Sequence, residues 1–147
     1  MNSVLFSKQS DNWKTPNIVY KKYIDNDYFD PCPYESNFDG LSIDWYEKNF
    51  VNPPYSKIKN FVDKSIEEAK KGKMVVLLIP ARTDTKWFRK LVDYGCNIEF
   101  VTGRLHFSNL NSAPFPSCYI TLTGKVLYRY GEIDIKENKY EDNRFIK

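Results

Sequence analysis

Residues that several common functional sites need are missing from this chain of 147 amino acids. Its single histidine, His106, lies between Leu105 and Phe107, a setting more typical of a structural residue, so no Ser–His or Cys–His pair is indicated. The three cysteines are far apart and form no C-x-x-C pair. This spacing argues against a zinc site or a disulfide framework and favours a reducing compartment, so we expect no bound metal.

Glycine-rich loops and long apolar runs are also lacking. The chain has six glycines and neither G-x-G-x-x-G nor G-K-[ST], so neither a dinucleotide fingerprint nor a phosphate-cradling loop is present. No apolar run approaches the length of about 18 residues that indicates a membrane span, and the amino terminus lacks a secretion-signal pattern. The net charge of +3 is too small to identify a polyanionic partner by itself. We therefore expect a cytoplasmic protein without membrane contact.

The sequence has enough apolar residues for one folded domain. Its hydrophobic content is 41%, and 147 residues suit one core while leaving little room for a second. No internal repeat or low-complexity linker divides the chain. We predict a single domain over residues 1–147, with its core at about residues 12–130 and a charged, solvated tail at about residues 131–147.

Alternating helical and strand patterns predict an α/β fold. Apolar residues at helical spacing predict a helix that is capped by Ser56 and ended by Gly72. The continuous apolar run at residues 74–79 then predicts a strand buried on both faces of a parallel sheet. A second helix, capped by Asp84 and ended by Gly95, precedes another strand.

Three further patterns complete the predicted secondary structure. Thr15 as cap and Pro16 at the first helical position predict an early helix. Short strands are predicted at residues 41–45 and 50–51. Residues 117–130 predict an antiparallel hairpin at the edge of the sheet. Functional residues are expected beyond the carboxyl ends of the strands, where open α/β sheets bind ligands.

One short stretch at such a strand end is the most informative part of the sequence: Asn52-Pro53-Pro54-Tyr55. Its prolines fix φ near about −65°, remove two backbone donors and force Asn52 into an extended conformation. An adenine amine or a carboxamide needs acceptors for its N–H groups, which the Asn52 oxygen and the Pro53 carbonyl could supply. Tyr55 could stack on the planar acceptor molecule. The same four residues also suit an ordinary turn.

With its neighbours, this turn resembles the fourth motif, [D/N/S]-P-P-[Y/F/W], of amino-group methyltransferases that use S-adenosylmethionine. Over about residues 12–123, the order of motifs is similar to that of small phage-type DNA N6-adenine methyltransferases. The motifs are Trp13-Lys14-Thr15-Pro16, Phe29-Asp30-Pro31-Cys32, Asp39-Gly40-Leu41 with Asp44-Trp45, Asn52-Pro53-Pro54-Tyr55, Leu78-Ile79-Pro80-Ala81-Arg82-Thr83-Asp84-Thr85 with Trp87-Phe88, Gly103-Arg104-Leu105 with Phe107, and Ala113-Pro114-Phe115-Pro116-Ser117. The resemblance implies a small Rossmann-like methyltransferase domain whose sheet is mostly parallel, with the antiparallel hairpin at its carboxyl-terminal edge.

The resemblance also implies a catalytic site and a cofactor site. The implied catalytic residues are Asn52, Pro53, Pro54 and Tyr55. The implied contacts to S-adenosylmethionine are Thr15 and Pro16 at the methionine carboxylate, Asp30, Pro31 and Cys32 at its amino end, Asp44 and Trp45 at the adenine, and Asn52. The family's usual glycines after Asp-Pro are absent, with Pro33, Tyr34 and Glu35 in their place.

The implied partner is duplex DNA with the target adenine flipped out of the helix. Candidate phosphate contacts are Arg82, Lys86, Arg89 and Arg104, and candidate base-facing aromatics are Trp87 and Phe115. Because the chain has no room for a separate recognition domain, sequence specificity is expected from loops at residues 35–39, 82–85 and 103–115, or from a partner subunit. The oligomeric state stays open, with a homodimer among the alternatives.

Other functions remain open at this stage. The turn chemistry suits an RNA adenine or a protein glutamine as well as it suits DNA. The missing glycines of the first cofactor motif would also fit a catalytically degenerate nucleic-acid-binding module of the same fold. A compact interaction protein with a phage regulatory role is a third alternative, against which the intact turn argues.

Overall fold

A computed structural model of the protein describes residues 14–107 and 112–124. In this part of the chain, three α-helices and four strands form the fold. The elements are α1 (Asn17–Ile24), β1 (Lys48–Val51), a 3₁₀ turn (Tyr55–Lys57), α2 (Ile58–Lys70), β2 (Met74–Pro80), α3 (Lys86–Tyr94), β3 (Asn97–Phe100) and β4 (Ser117–Leu122). The predicted tail at 131–147 lies outside the described residues.

The strands form one mixed sheet in the order β1-β2-β4-β3. β1 and β2 are parallel, whereas β4 is antiparallel to both β2 and β3. Phe29 adds a parallel bridge to Asn49, on the free side of β1. The predicted α/β fold is confirmed. A mostly parallel sheet is not, because among the described strands only one of the three pairs is parallel.

Two of the predicted strands differ from the structure. The strand predicted at residues 41–45 is wrong, because turns and bends occupy this segment. The Trp45 N–H donates to the Glu68 side chain on α2. β4 is antiparallel, as expected of the hairpin, but it lies inside the sheet, since strands pair with it on both sides. The second arm of the predicted hairpin, at 126–128, falls outside the described residues.

Both faces of β2 are covered, as its apolar run predicts. Val75, Leu77 and Ile79 point to one face and pack in a cluster with α2 and α3. Val76 and Leu78 point to the other face and pack with α1 and the loop that precedes β4. Each face of β2 is therefore apolar, which is why its sequence shows no polar alternation.

The helix ends follow the predictions closely. Gly95 lies directly after α3, and Gly72 lies two positions after the last residue of α2. Their φ angles of 96° and 98° are a conformation that glycine adopts without a Cβ clash. The start of α3 is displaced by one residue, because Thr85, not Asp84, accepts a hydrogen bond from the Phe88 N–H at 3.2 Å. The sequence alone did not show which of these two neighbours caps the helix, since both residue types are good caps.

The other two predicted side-chain caps, Ser56 and Thr15, are absent. α2 begins without a side-chain cap, because the Pro54 carbonyl accepts from the Lys57 N–H at 3.0 Å and starts a 3₁₀ turn that includes Ser56. α1 begins one residue after Pro16, also without a side-chain cap. The Thr15 side chain instead contacts Asn52.

The loops that carry most of the predicted site residues converge on the edge of the sheet that is formed by the carboxyl ends of β1 and β2. β1 and β2 end there, β3 runs in the same direction as β2, and β4 begins there with Ser117 opposite Pro80. Backbone hydrogen bonds from Ala81 to Pro116 and from Val101 to Ser117, of 2.8 and 3.0 Å, join these loops. Among the described helices, none is long and apolar enough to cross a membrane.

The displaced cap of α3 yields a test. Thr85→Ala should lower the free energy of unfolding by about 1 kcal/mol, because the Phe88 N–H loses its acceptor. Asp84→Ala, the matched control at the neighbouring exposed position, should change it by no more than about 0.5 kcal/mol. Urea denaturation of both variants measures the difference. Equal losses would contradict the assignment of Thr85 as the cap.

Candidate functional site

Asn52 is held at the end of β1 by the prolines that follow it and by a contact to the segment before α1. Its side-chain Nδ2 donates a hydrogen bond to Thr15 Oγ1 at 2.9 Å. Pro53 is buried, and the Pro54 carbonyl bonds into the 3₁₀ turn. The hydrogen bond to Thr15 restricts rotation of the Asn52 amide. The side chain is therefore held in one orientation at the carboxyl edge of the sheet.

A first cleft opens beside this amide, with a volume of about 360 Å³. It is lined by four of the predicted cofactor residues: Thr15, Asp30, Cys32 and Asn52. Pocket volumes of about 300–1,000 Å³ are typical of small-molecule sites. Its wall also includes Lys14, Asn17 and Tyr20, for which no cofactor role was predicted, and the segment at residues 33–35. Asn17 and Tyr20 are three residues apart on α1, a spacing that places them on one helix face.

Asp30, partly buried, is one of two acidic groups that line this first cleft, beside the exposed Glu35. Burial raises the pKa of Asp30 from 3.8 to about 6, although the Cys32 N–H, which donates to Oδ1 at 2.8 Å, opposes the shift. The pKa of the nearby Tyr20 is also raised, by burial and by the charge of Asp30. A cation bound in the cleft would favour the ionised carboxylate. The cleft therefore suits a ligand with a positively charged group.

A second cleft of about 570 Å³ adjoins the first, and the two share Cys32, Pro33 and Tyr34. Its lining also includes Gly40, which packs directly on the backbone of Pro31. A Cβ at Gly40 would lie 1.8 Å from the Pro31 carbonyl oxygen, so only glycine allows this approach. The two clefts thus lie on either side of the turn that follows Asp30.

Asp44 and Trp45 line neither of these clefts. Asp44 is exposed and lies 3.3 Å from Lys71 Nζ. Trp45 is only 3% exposed, and its indole N–H donates to the Gly40 carbonyl at 2.7 Å. Their cofactor roles stay predictions, because the structure brings neither side chain to the cleft that contains Asp30.

A third, small cavity lies on the other side of Asn52 and has aromatic walls. Its lining includes Asn52, Pro53, Tyr55 and Phe115, and its volume is about 10 Å³. The rings of Tyr55 and Phe115 are 6.4 Å apart, and the Arg82 guanidinium lies 5.4 Å from the centroid of the Tyr55 ring. These aromatic walls suit a planar ring, but the walls must separate before one can enter.

The remaining candidate DNA contacts are less concentrated. Lys86 and Arg104 are exposed, at the start of α3 and in the loop that follows β3. Arg89 pairs with Asp93 on the same helix, at 2.7 Å from Nε to Oδ1. Trp87 is half-buried and packs against the core between α2 and α3. Of the predicted substrate residues, the structure places Arg82 and Phe115 beside the Asn52 turn.

Comparison with known proteins identifies the family. Residues 2–117 match the family model described as DNA N-6-adenine-methyltransferase (Dam). The chain belongs to the Dam family. A DNA N-6-adenine-methyltransferase of Escherichia phage T1 is 40% identical over 47 residues, a region that covers 30% of this chain. The match spans only 20% of that phage protein.

The family match confirms the resemblance that the motif order indicates. All the predicted site residues of this Dam-family chain lie within the matched region. In residues 14–107 and 112–124, no group of three or more histidine, cysteine, aspartate or glutamate side chains could hold a metal ion.

The buried carboxyl of Asp30 yields a pH prediction. Its folded-state pKa of about 6 exceeds the ordinary value of 3.8, so stability falls as pH rises between these values and the carboxyl ionises. Asp30→Asn should therefore unfold with a free energy about 1–3 kcal/mol higher than the parent at pH 7.5, and the gain should vanish below about pH 4.

Denaturant unfolding from pH 4 to 8 measures this gain. Asp63→Asn is the matched control, because Asp63 is an exposed carboxylate on α2, paired with Lys90 at 2.9 Å. A gain at Asp30 that does not depend on pH would contradict the titration of a buried carboxyl.

Proposed function

We propose that this Dam-family protein transfers a methyl group from S-adenosylmethionine to the N6 amine of adenine in DNA. One observation carries the proposal: Asn52 lines both the cleft that contains Asp30 and the aromatic cavity of Tyr55 and Phe115. A donor in the cleft and a base in the cavity would meet at the Asn52 side chain. Proximity of this kind can supply much of the rate enhancement of a transfer reaction.

The first cleft fits the methionine end of the proposed cofactor. The Asp30 carboxylate would pair with the α-amino group, and this pairing would offset the cost of ionising a buried acid. Lys14 and the residues before α1 line the same cleft and would face the carboxylate. S-adenosylmethionine supplies a methyl group activated by a sulfonium. The turn at Cys32, Pro33 and Tyr34, which lines both clefts, would separate the two ends of the cofactor.

The Asn52 turn would present acceptors to the amine. Because Nδ2 donates to Thr15, the amide is oriented, and its oxygen can accept one N–H of the amine. The Pro53 carbonyl would accept the other, while Pro54 keeps the turn rigid and Tyr55 stacks on the base. The transfer breaks the sulfonium C–S bond, forms an N–C bond at the amine and releases one proton to water.

DNA would have to deliver its base to this site by flipping. The aromatic cavity holds only about 10 Å³, so Tyr55, Phe115 and the Arg82 side chain above Tyr55 would move apart to admit adenine. Arg82, together with Lys86 and Arg104, would contact phosphates and make binding salt dependent. Trp87 would have to leave its core contacts to face a base. Such an enzyme would act in the cytoplasm, where its DNA lies.

We also propose that the described sheet is a reduced form of the Rossmann-like methyltransferase sheet. The parallel pairing of β1 with β2 and the parallel bridge at Phe29 support this assignment. They place Asp30 and Asn52 after neighbouring parallel segments, at the edge where such sheets bind their ligands.

Labelled S-adenosylmethionine, duplex DNA of mixed sequence and nucleoside analysis test the proposed activity. The parent should form N6-methyladenine, and Asn52→Ala should reduce the rate about 100-fold or more, as for the loss of one oriented polar group in an active site. Asn60→Ala removes an exposed amide from α2 and should retain activity. Label in RNA or in protein glutamine, but not in DNA, would contradict the proposed substrate.

Thr15 provides a second test, because valine has the same side-chain shape as threonine but no hydroxyl group. Thr15→Val removes the acceptor of the Asn52 amide and should lower kcat about tenfold, because the amide is no longer oriented. Thr15→Ser keeps an acceptor and should retain most of the activity. If valine and serine gave equal rates, the hydrogen bond to Asn52 would have no role in the reaction.

A further inference from the structure

Glu68 on α2 is a fully buried carboxylate surrounded by donors. Its Oε1 accepts from the Trp45 N–H and from Lys73 Nζ, each at 2.7 Å. Its Oε2 accepts from Lys71 Nζ at 2.8 Å and lies 3.6 Å from Lys64 Nζ. The side chain has no exposed surface. No catalytic or cofactor role described above involves this group.

The charge of Glu68 is retained despite its burial. Burial alone would raise its pKa, but the hydrogen bonds from Lys71, Lys73 and the Trp45 N–H, with Lys64 nearby, lower it to about 2. Buried ion pairs are weak stabilisers, because well-packed apolar residues often stabilise a fold equally well. Stability alone therefore gives little reason for a carboxylate at a helix position that faces the core.

A series of contacts connects Glu68 to residues that line the clefts. Trp45 is bound through both backbone groups, since its N–H donates to Glu68 and its carbonyl accepts from Lys73 at 2.6 Å. The indole N–H of Trp45 donates to the Gly40 carbonyl at 2.7 Å, and Gly40 packs on the Pro31 backbone. Pro31 precedes the turn that the two clefts share.

The segment between Gly40 and Trp45 belongs to no strand, so ladder hydrogen bonds do not hold it. The carboxylate of Glu68 and the ammonium of Lys73 instead fix its end from α2 and the start of β2. Because Gly40 has no side chain, the backbone of this segment itself forms a cleft wall. Any shift of Trp45 would therefore be transmitted to Gly40 and to Pro31.

We propose that Glu68 is a positioning residue, which acts through Trp45 and Gly40 to fix the turn that separates the two clefts. The structural effect stands on these contacts, while its consequence for S-adenosylmethionine binding rests on the proposed function. Glu68 touches no reacting group in this scheme. It fixes the contact between Gly40 and Pro31, next to the turn that follows Asp30.

Amide hydrogen exchange tests the structural effect without any ligand. Glu68→Met removes the acceptor of the Trp45 N–H and should accelerate exchange in peptides from residues 30–45 about tenfold, the effect of losing one hydrogen bond to a charged group. Glu68→Gln keeps an acceptor for Trp45 and should give an intermediate rate. Ile120→Val, a core change in β4 that lines none of the three cavities, is the control and should leave this segment's exchange unchanged.

Trp45→Phe provides an independent variant if the Glu68 variants do not fold. It keeps an aromatic ring in the core but removes the donor to Gly40, so it should accelerate exchange in the same peptides. Unchanged exchange at residues 30–45 in every folded variant, or acceleration spread equally over all peptides, would overturn the proposal.

Calorimetry with S-adenosylmethionine then tests the functional consequence. Glu68→Met should raise the dissociation constant about tenfold, and Glu68→Gln less, while a separate rate assay at saturating cofactor should show little change in kcat for either Glu68 variant. Trp45→Phe should also raise the dissociation constant. Ile120→Val should bind as the parent does. If the parent bound no S-adenosylmethionine, the proposed function would fail, and the exchange measurements would still decide the role of Glu68. Unchanged affinity in variants with accelerated exchange would overturn the link to the cofactor.

Discussion

The parallel pairing of β1 with β2 is the constraint on which the candidate site depends. Val51 lies opposite Leu77, so both strands end at the same edge of the sheet. The turn at Asn52 follows one strand, and the loop with Arg82 follows the other. Phe29 forms a parallel bridge to β1, so the next residue, Asp30, also lies at this edge. Residues far apart in sequence therefore meet because their strands point the same way.

Burial on both faces of β2 connects this edge to the rest of the protein. One face packs against α2 and α3, and the other packs against α1 and the loop before β4. α1 therefore comes to lie on the face of the sheet beside Asn52, where Thr15 accepts its amide hydrogen bond. α2 lies on the opposite face, contributes Phe61 to the second cleft and binds the Trp45 N–H through Glu68. The two faces thus support different walls of the same site.

Local patterns predicted those parts of the site that depend on neighbours in sequence. The proline turn, the buried strand and the glycine ends of two helices follow from backbone chemistry within a few residues, and the structure confirms them. The cap of α3 is displaced by one residue, because Asp84 and Thr85 are both suitable acceptors and only packing chooses between them, while α1 and α2 have no side-chain cap. Turns and bends replace the strand expected at residues 41–45, and the Trp45 N–H donates to the buried carboxylate of Glu68 rather than to a neighbouring strand.

The sequence by itself determined the family, the α/β class and the turn that holds Asn52, because motif order and proline stereochemistry do not depend on distant contacts. Only the tertiary structure decided that β4 lies inside the sheet, that Trp45 belongs to the core, and that Tyr20 and Asn17 face Asp30. It also revealed Glu68, whose place on the apolar face of α2, seven residues after Phe61, was the one local sign of a buried charge. These features depend on which surfaces pack together, and that choice is made by the whole core rather than by any local segment.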